Sequence, residues 1–335
     1  MMKVLKTFGN QDLRIVEKPI PEPGPGYVRI KVRASGVCGS DKWIWYIENE
    51  TDNIAGHEVA GEVVKLGEGV DSLKIGDRVM INNVVGCGAC PACLAGAFVL
   101  CGNRTGQHDV NNGFSEYLVA PARNCVRLAD GIGYIDGALI MDNWGTPYRG
   151  IKRGNIQLGM NVLVTGCGPI GQAAIALSVA AGAQVVAVDP LEFRRQYATK
   201  SGAVEAVSPE DLSDVIKKIT GDTGFDLVLE CSGNGKIYDN CLESLHIGGD
   251  MIAIGEHAEY LLHPSDQIIR RSLSIIGTWY STLPQANELM QLALNKKINL
   301  RSFLTHTISL EEAPAMFKSI INYTDNVLKC VIVFD

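Results

Sequence analysis

The longest run without a charged residue, residues 154–188, ends at Asp189 and constrains the fold more than any other part of the sequence. Its length would suit a transmembrane helix, but glycines and short apolar runs divide it. Residues 160–165 and 184–188 predict β-strands, and the alanine-rich stretch 172–181 between them predicts a helix. Strand, helix and strand in this order are typical of a βαβ unit rather than of a membrane span.

The turn between the first strand and the helix has the G-x-G-x-x-G pattern of dinucleotide-binding proteins. Gly166 permits a tight turn, Gly168 lets the backbone approach a pyrophosphate, and Gly171 lets the helix pack against the strands. Asp189 follows near the expected interval for a carboxylate that accepts the ribose hydroxyls of NAD and repels the 2′-phosphate of NADP. The residues of this segment predicted to bind the cofactor are Gly166, Gly168, Pro169, Ile170, Gly171, Asp189 and Arg194.

Composition argues against several classes of function. The chain has 335 residues, enough for two domains, and its net charge of −7 argues against nucleic acid as a partner. No apolar signal segment follows the opening residues, so we expect a cytoplasmic protein without a membrane partner. In that reducing compartment, ten cysteines with four of them close together indicate a metal site better than a disulfide framework.

The first part of the chain alternates apolar and polar positions, as half-buried strands do. Residues 13–17 and 27–33 predict antiparallel strands separated by a loop rich in proline and glycine. Residues 58–66 and 78–82 predict two more strands, divided by glycine turns. The first ~150 residues are therefore expected to form an all-β unit.

After Asp142 the pattern changes to strands that alternate with helices, which predicts a parallel, doubly wound sheet. Further short apolar strands are expected at 226–231, 250–255 and 273–277. Amphipathic helices are expected at 287–297 and 310–322. A terminal strand, 327–334, is expected to return to the first domain. The predicted fold class is α/β, with a β domain and a doubly wound cofactor domain.

Four cysteines form a C-x2-C-x2-C-x7-C pattern within one loop: Cys87, Cys90, Cys93 and Cys101. Four thiolates complete the tetrahedral shell of a zinc ion and leave no position for a substrate, so a structural zinc site is expected. An iron–sulfur cluster would use the same four thiolates and is the alternative. Zinc is favoured because nothing else in the sequence indicates electron transfer.

A second set of metal-binding side chains is dispersed along the chain. Cys38, His57 and Asp142 offer a thiolate, an imidazole and a carboxylate, and Glu58 stands beside the histidine. A mixed shell of this kind leaves room for an exchangeable ligand, as catalytic zinc sites do. The neighbouring nucleotide-binding pattern favours this interpretation.

With these residues and further motifs, the chain resembles the zinc-dependent medium-chain dehydrogenase/reductase family, of the alcohol, sorbitol and threonine dehydrogenase kind. The matching segments are the glycine turn, the four-cysteine loop and residues 36–41 (GVCGSD), 56–58 (GHE), 76–79 (GDRV) and 114–117 (FSEY). The resemblance implies a GroES-like catalytic domain at 1–145 and 282–335 and a Rossmann NAD-binding domain at 146–281. It also implies two zinc ions per chain and a homodimer or homotetramer.

The resemblance implies roles for individual residues as well. The dispersed cysteine, histidine and aspartate match the ligands of the catalytic zinc. Glu58 matches an acid beside the metal that can enter the coordination shell when the bound water or alcohol exchanges. Ser40 resembles the hydroxyl that receives the proton of the alcohol, and Thr146 resembles the residue that packs against the nicotinamide.

Two departures from the family pattern bear on the substrate. Trp43 stands where many members carry a histidine at the outer end of the proton relay. Trp279 stands where sorbitol dehydrogenases carry an arginine among the substrate contacts. Aromatic faces stack on the C–H faces of sugar rings, so Trp43, Trp144 and Trp279 are interpreted as substrate contacts, with core packing as the alternative.

The sequence therefore predicts a zinc- and NAD-dependent oxidoreductase that interconverts a secondary alcohol of a polyol, cyclitol or sugar and the corresponding ketone. A cyclic polyol, aminocyclitol or glycoside is favoured over a linear sugar alcohol. An amino-alcohol dehydrogenase of the threonine type is the alternative among enzymes, and an NAD-binding redox sensor is the non-enzymatic one. His108, on the loop after the cysteines, is interpreted as a surface residue.

Overall fold

The computed structural model describes residues 1–104, 106–107, 109–256 and 259–335. His108, interpreted above as a surface residue, lies outside these ranges. Within them, no helix combines the length and the apolar character that crossing a membrane requires. The uncharged segment 154–188 is divided among two strands and a helix, as its internal pattern predicts.

The chain forms two compact units: Met1–Asp142, Ser281–Leu294 and Leu304–Asp335 make up the first, and Asn143–Tyr280 and Asn295–Phe303 the second. The elements before residue 143 are β1 (Met2–Thr7), β2 (Leu13–Lys18), β3 (Tyr27–Val37), α1 (Trp43–Tyr46), β4 (Glu58–Leu66), β5 (Arg78–Ile81), α2 (Pro91–Leu94), β6 (Tyr117–Pro121), β7 (Cys125–Arg127) and α3 (Tyr134–Leu139). Those of residues 143–280 are α4 (Gly145–Arg153), β8 (Asn161–Thr165), α5 (Pro169–Ala180), β9 (Gln184–Val188), α6 (Glu192–Lys200), β10 (Glu205–Val207), α7 (Leu212–Thr220), β11 (Phe225–Glu230), α8 (Tyr238–Glu243), β12 (Leu245–Ala253) and β13 (Ser274–Gly277). The remaining elements are α9 (Leu283–Leu294), β14 (Leu304–Ile308), α10 (Ala313–Asn322) and β15 (Lys329–Val333).

The first unit contains a seven-stranded sheet in the order β14-β15-β3-β4-β5-β7, with β6 paired to β3. The alternation of β3 explains its place at the centre, because Val28, Ile30 and Val32 are fully buried on one face. Both strands predicted near the start of the chain form and pair antiparallel, but with different partners. β2 pairs with β1, whereas β3 pairs with β4, β6 and β15.

The second unit contains six parallel strands in the order β10-β9-β8-β11-β12-β13, which confirms the doubly wound sheet. The strand order reverses between β8 and β11, and dinucleotides bind at the carboxyl ends of the strands at such a point. The glycine turn follows β8 and lies at that point. α5 begins at Pro169, earlier than predicted, because proline at the first helical position has a fixed φ and needs no hydrogen-bond donor there.

The strand near residue 330 belongs to the first unit. β15 pairs antiparallel with β3 and brings Val331 opposite Gly36. On the other side of β3, the same glycine lies opposite Glu58 of β4. Gly36 therefore gives β3 a position without a side chain between β15 and β4.

Candidate metal and cofactor sites

Four side chains from three separate segments of the sequence converge in the first unit. Asp142 Oδ2 lies 3.6 Å from Cys38 Sγ and 3.1 Å from His57 Nε2. Together with Glu58, these residues each offer one ligand atom, and the ligand atoms all lie within 4.8 Å of one another. A thiolate, an imidazole and carboxylates in such a group are ligands that zinc accepts.

The local backbone explains how these ligands are presented. Cys38 comes directly after β3 and before a single 3₁₀ turn, Gly39–Lys42. Glu58 is the first residue of β4, and His57 directly precedes it, so the sheet fixes the backbone on one side of the histidine. Asp142 lies in a one-turn π-helix, Ile140–Trp144, a rare form that is frequent at functional sites.

The electrostatics of this group favour a bound cation. Burial and then the neighbouring Asp142 carboxylate raise the pKa of the Cys38 thiol. Negative groups packed this closely away from water repel one another, so the thiol resists ionisation. A divalent cation removes the repulsion and holds the thiolate, with release of a proton. The donor set thus fits a metal ion.

Asp41 contacts this group of side chains, although the sequence motifs gave it no role. It is 1% exposed, and its Oδ1 lies 3.1 Å from His57 Nδ1. The same carboxylate accepts hydrogen bonds from the backbone amides of Cys38, at 2.9 Å, and Gly56, at 3.2 Å. It therefore fixes the orientation of the imidazole and the backbone of two neighbouring segments, as carboxylates behind metal-binding histidines do. An acid three residues after a ligand cysteine was the available signal.

The four cysteines of the loop also converge, and their ligand atoms lie within 4.8 Å of one another. Hydrogen bonds from the backbone amides of Ala89 and Cys90 lower the pKa of Cys87 to about 6. Burial raises the pKa of Cys93 to about 12. A closed group of four thiols, one of them readily ionised, fits a structural metal ion. These ligands are Cys87, Cys90, Cys93 and Cys101.

The glycine turn of the second unit is built for a close ligand. Gly166 has a φ of +82° and donates its amide to Val188 O at 2.8 Å, which ties the start of the turn to the neighbouring strand β9. A side chain at Gly171 would collide with the Gly166 carbonyl, so the helix can approach the turn only with glycine there. At Gly168 a Cβ would project into open space, apart from Arg194 Nη1 at 4.0 Å. This cradle, ahead of the α5 N-terminus, fits a pyrophosphate.

Asp189 is held at the end of β9 by two backbone amides. Its Oδ2 accepts from Cys167 N and its Oδ1 from Leu191 N, both at 2.8 Å. Arg194 Nη1 lies 3.7 Å from Asp189 Oδ2. The carboxylate and the guanidinium therefore border the glycine turn, and Pro169 and Ile170 at the start of α5 are half-buried beside it.

The other predicted site residues differ in exposure. Ser40 is exposed on the 3₁₀ turn after Cys38, and Thr146 is buried at the start of α4. Trp43, on α1, is 37% exposed. Trp279 is half-buried, with its ring 5.3 Å from that of Tyr280.

Trp144 requires a correction, because it has no exposed face to offer a substrate. Its side chain is fully buried, and its ring stacks on Phe303 at 5.3 Å. The indole N–H donates to Leu300 O at 3.1 Å. These contacts also explain why residues 295–303 group with the second unit. Trp144 is therefore a packing residue, the alternative interpretation given above.

Comparison with known proteins gives matches over both units. A family model described as alcohol dehydrogenase GroES-like domain matches residues 24–130, and one described as zinc-binding dehydrogenase matches residues 169–295. The chain is 32% identical over 344 residues to the uncharacterized zinc-type alcohol dehydrogenase-like protein YphC of Escherichia coli K12, covering 95% of this chain and 97% of that protein. It is 33% identical over 325 residues to L-threonine 3-dehydrogenase of Pyrococcus horikoshii, covering 91% of each. Among solved structures, 2R,3R-butanediol dehydrogenase of Bacillus subtilis is 26% identical with a TM-score of 0.87, covering 100% of both chains.

Proposed function

Because the chain belongs to the zinc-dependent medium-chain dehydrogenase family, we propose that it interconverts a secondary alcohol of a polyol, cyclitol or sugar and the corresponding ketone, with NAD as the hydride carrier. Membership makes the chain an oxidoreductase with zinc and a nicotinamide dinucleotide as cofactors, so the redox-sensor alternative is not retained. The observation that carries the proposal is the convergence of Asp142 with Cys38 and His57 at 3.6 and 3.1 Å.

The residues of the first unit would prepare the alcohol. A zinc ion held by Cys38, His57 and Asp142 supplies Lewis acidity, which makes the hydroxyl of an alcohol more acidic. Asp41 keeps the imidazole in place through its contact with His57 Nδ1. The exposed hydroxyl of Ser40 would accept the proton that the alcohol gives up while it passes its own proton to solvent, so that it acts as a relay.

The residues of the second unit would hold the dinucleotide. NAD supplies the hydride acceptor. The amides of the glycine turn and of the α5 N-terminus bind its pyrophosphate, and Asp189 binds the adenosine ribose. Asp189 repels the additional phosphate of NADP, and this supports NAD as the preferred cofactor. The cysteine loop could hold a second metal ion, and a zinc ion bound by its four thiolates would have no open position for a substrate.

The class of alcohol is supported by the accessible aromatic side chains. Trp43 is 37% exposed and follows the Cys38 turn, and Trp279 is half-buried in the second unit. Flat apolar faces of this kind stack on the C–H faces of a ring and contribute few hydrogen bonds to an open chain. We therefore propose a cyclic polyol, aminocyclitol or glycoside as substrate.

The test is a turnover panel of cyclic polyols, linear polyols, simple alcohols and L-threonine, each with NAD and with NADP, together with a zinc determination on the same preparation. We expect two zinc ions per chain and the highest kcat/KM for a cyclic polyol with NAD. Highest activity with ethanol or linear sorbitol would reject the substrate class. A preparation with full zinc and no activity on any alcohol would reject the function.

A second candidate substrate is an amino alcohol of the threonine type. The 33% identity to L-threonine 3-dehydrogenase over 91% of each chain favours it. Its carboxylate would require a cationic contact, whereas Trp43 and Trp279 offer none. Preferred oxidation of L-threonine in the same panel would select this candidate.

We also propose a homodimer formed through the edge of the parallel sheet. β13 is one of the two edge strands of that sheet, and Ile275 on it is 38% exposed. An unprotected edge strand with an apolar side chain can pair with its counterpart in a second copy. Light scattering of the purified protein measures the mass, and a monomer at micromolar concentration would contradict the proposal.

A further inference from the structure

Glu58 forms a buried ion pair with Lys329, which no sequence motif indicated. Lys329 Nζ donates to Glu58 Oε1 at 2.6 Å and to Val37 O at 2.9 Å. Each side chain is 1% exposed. A charge in such surroundings is costly unless it is paired and hydrogen-bonded, so the two groups depend on each other.

The carboxylate reaches the lysine by crossing a strand. Glu58 lies on β4 opposite Gly36 of β3, and Gly36 lies opposite Val331 of β15, the strand that carries Lys329. A Cβ on residue 36 would collide with Glu58 Oε2 and would approach the Glu58 Cδ to 3.0 Å. The absence of a side chain at Gly36 therefore provides the path by which the carboxylate passes over β3.

The second oxygen of the carboxylate is not used by the ion pair. Among the described residues, Glu58 Oε2 has no hydrogen-bond partner although it is buried. A carboxylate oxygen of Glu58 is also within 4.8 Å of the ligand atoms of Cys38, His57 and Asp142. Glu58 thus stands between two cations, the ammonium of Lys329 on one side and the proposed metal ion on the other.

We propose that Lys329 is a positioning residue that holds Glu58 out of the coordination shell, along the path left open by Gly36. The inference rests on the proposed catalytic metal site. Three protein ligands then leave a position for the alcohol, whereas a shell closed by a fourth protein ligand is the arrangement of structural sites. Without Lys329, the buried carboxylate has the metal ion as its remaining cationic partner, and Glu58 becomes a permanent ligand.

Substitution of cobalt(II) for zinc tests whether Lys329 keeps Glu58 out of the coordination shell. No activity measurement is needed, because the visible spectrum of cobalt(II) depends on the number and geometry of its ligands. The contribution of the cysteine loop is removed by subtracting the spectrum of a Cys38→Ser variant. We expect Lys329→Met to change the remaining spectrum and to slow metal release to a chelator on the order of tenfold. Lys329→Arg, which keeps the cation, should retain the original spectrum and release rate.

The source of the change is tested by adding Glu58→Gln to Lys329→Met, since an uncharged amide is a poor ligand. The double variant should regain the original spectrum and rapid metal release. An unchanged spectrum in Lys329→Met, or a change that persists in the double variant, would overturn the inference. If Lys329→Met does not fold, Gly36→Ala, which keeps both charges but blocks the path, must give the same spectral change. Failure of the mixed site to bind cobalt at all would instead overturn the proposed metal site.

Discussion

His57 and Asp142 contact each other at 3.1 Å through Nε2 and Oδ2, although 85 positions separate them in the sequence. The other ring nitrogen of His57 lies 3.1 Å from the Asp41 carboxylate. One imidazole is thus held between a carboxylate that shares the proposed metal ion and a carboxylate that orients the ring. This arrangement leaves Nε2 for the metal when Nδ1 carries the proton.

Replacing Asp142 with alanine should remove the metal ion from the mixed site and leave the one in the cysteine loop. The reason is that Asp142 Oδ2 contacts both other ligands, Cys38 and His57. We expect the zinc content to fall from two ions to one per chain, with loss of alcohol oxidation. Elemental analysis after dialysis measures the content. Asp130→Ala, at an exposed position, is the control and should keep both ions.

Replacing Asp41 with asparagine should weaken the same site without removing a ligand. The amide keeps most of the volume but loses the charge that orients His57. Zinc affinity or kcat/KM should fall by about 10- to 100-fold, the usual effect of losing such a partner. Competition with a chelator measures the affinity. Asp71→Asn, an exposed aspartate of the same unit, should have no effect, and an equal loss there would contradict the role given to Asp41.

Replacing Cys93 with serine should destabilise the first unit rather than alter the chemistry at the mixed site. Cys93 is 6% exposed and its Sγ lies 3.9 Å from that of Cys87. Metal binding in such a loop contributes directly to folding. We expect the loss of about one zinc ion and a lower thermal midpoint. Cys125→Ala is the matched control at an isolated cysteine, and equal zinc loss in it would contradict the assignment.

Replacing Asp189 with serine should relax the preference for NAD. The hydroxyl can still accept a hydrogen bond from the turn, but it no longer repels a phosphate, and Arg194 is released from its contact with the carboxylate. Placing like charges together costs several kcal/mol, so the ratio of kcat/KM for NAD over NADP should fall on the order of 100-fold. Steady-state kinetics with both cofactors measure it. An unchanged ratio would show that another residue sets the preference.

Asp77 gives a prediction for the pH dependence of stability. Burial alone would raise its pKa, but hydrogen bonds from the Lys74 amide, at 3.0 Å, and from Arg127 Nε, at 2.8 Å, lower the pKa below its ordinary value of 3.8. A lowered folded-state pKa stabilises the fold above the ordinary value, and this contribution is lost as the pH falls through the folded-state pKa. Asp77→Asn should therefore cost about 1–3 kcal/mol at pH 7.

The difference between Asp77→Asn and the native chain should disappear in strong acid, where both side chains are neutral. Denaturant unfolding at pH 7, 5 and 3 measures the free energy of unfolding. A difference that grows as the pH falls would contradict the assigned direction.

The sequence predicted those parts of the molecule in which local pattern decides structure. The βαβ unit followed from hydrophobic periodicity and from glycines whose side chains would collide, such as Gly171 against the Gly166 carbonyl. The pairing partners of the strands could not be predicted in this way. Apolar and polar residues alternate along β2 and β3 as expected for strands, but the alternation does not indicate which strand lies next to each of them. Trp144 shows the same limit, since an indole has similar value in a core and in a binding cleft until Phe303 and Leu300 are seen beside it.

The ion pair of Glu58 was beyond sequence reasoning for a related reason. Lys329 follows Glu58 by 271 positions, and a lone lysine in a short strand reads as a solvent-facing residue. Lys329 can reach Glu58 only because β15 lies next to β3 and because residue 36 has no side chain. The pairing of strands that are distant in the sequence brings both conditions together. The residues around Lys329 therefore do not indicate the ion pair.

The position of Lys329 on β15 has a consequence for how the protein matures. A chain synthesised from its N-terminus presents Cys38, His57, Glu58 and Asp142 before the lysine strand exists. If Lys329 holds Glu58 as proposed, the Glu58 carboxylate would have no ammonium to hold it during that interval, and the unfinished chain would offer a captured metal ion four protein ligands. Docking of β15 against β3 would then withdraw one of them. A strand made after all four ligands would thus convert a site suited to acquiring its metal into a site suited to exchanging ligands on it.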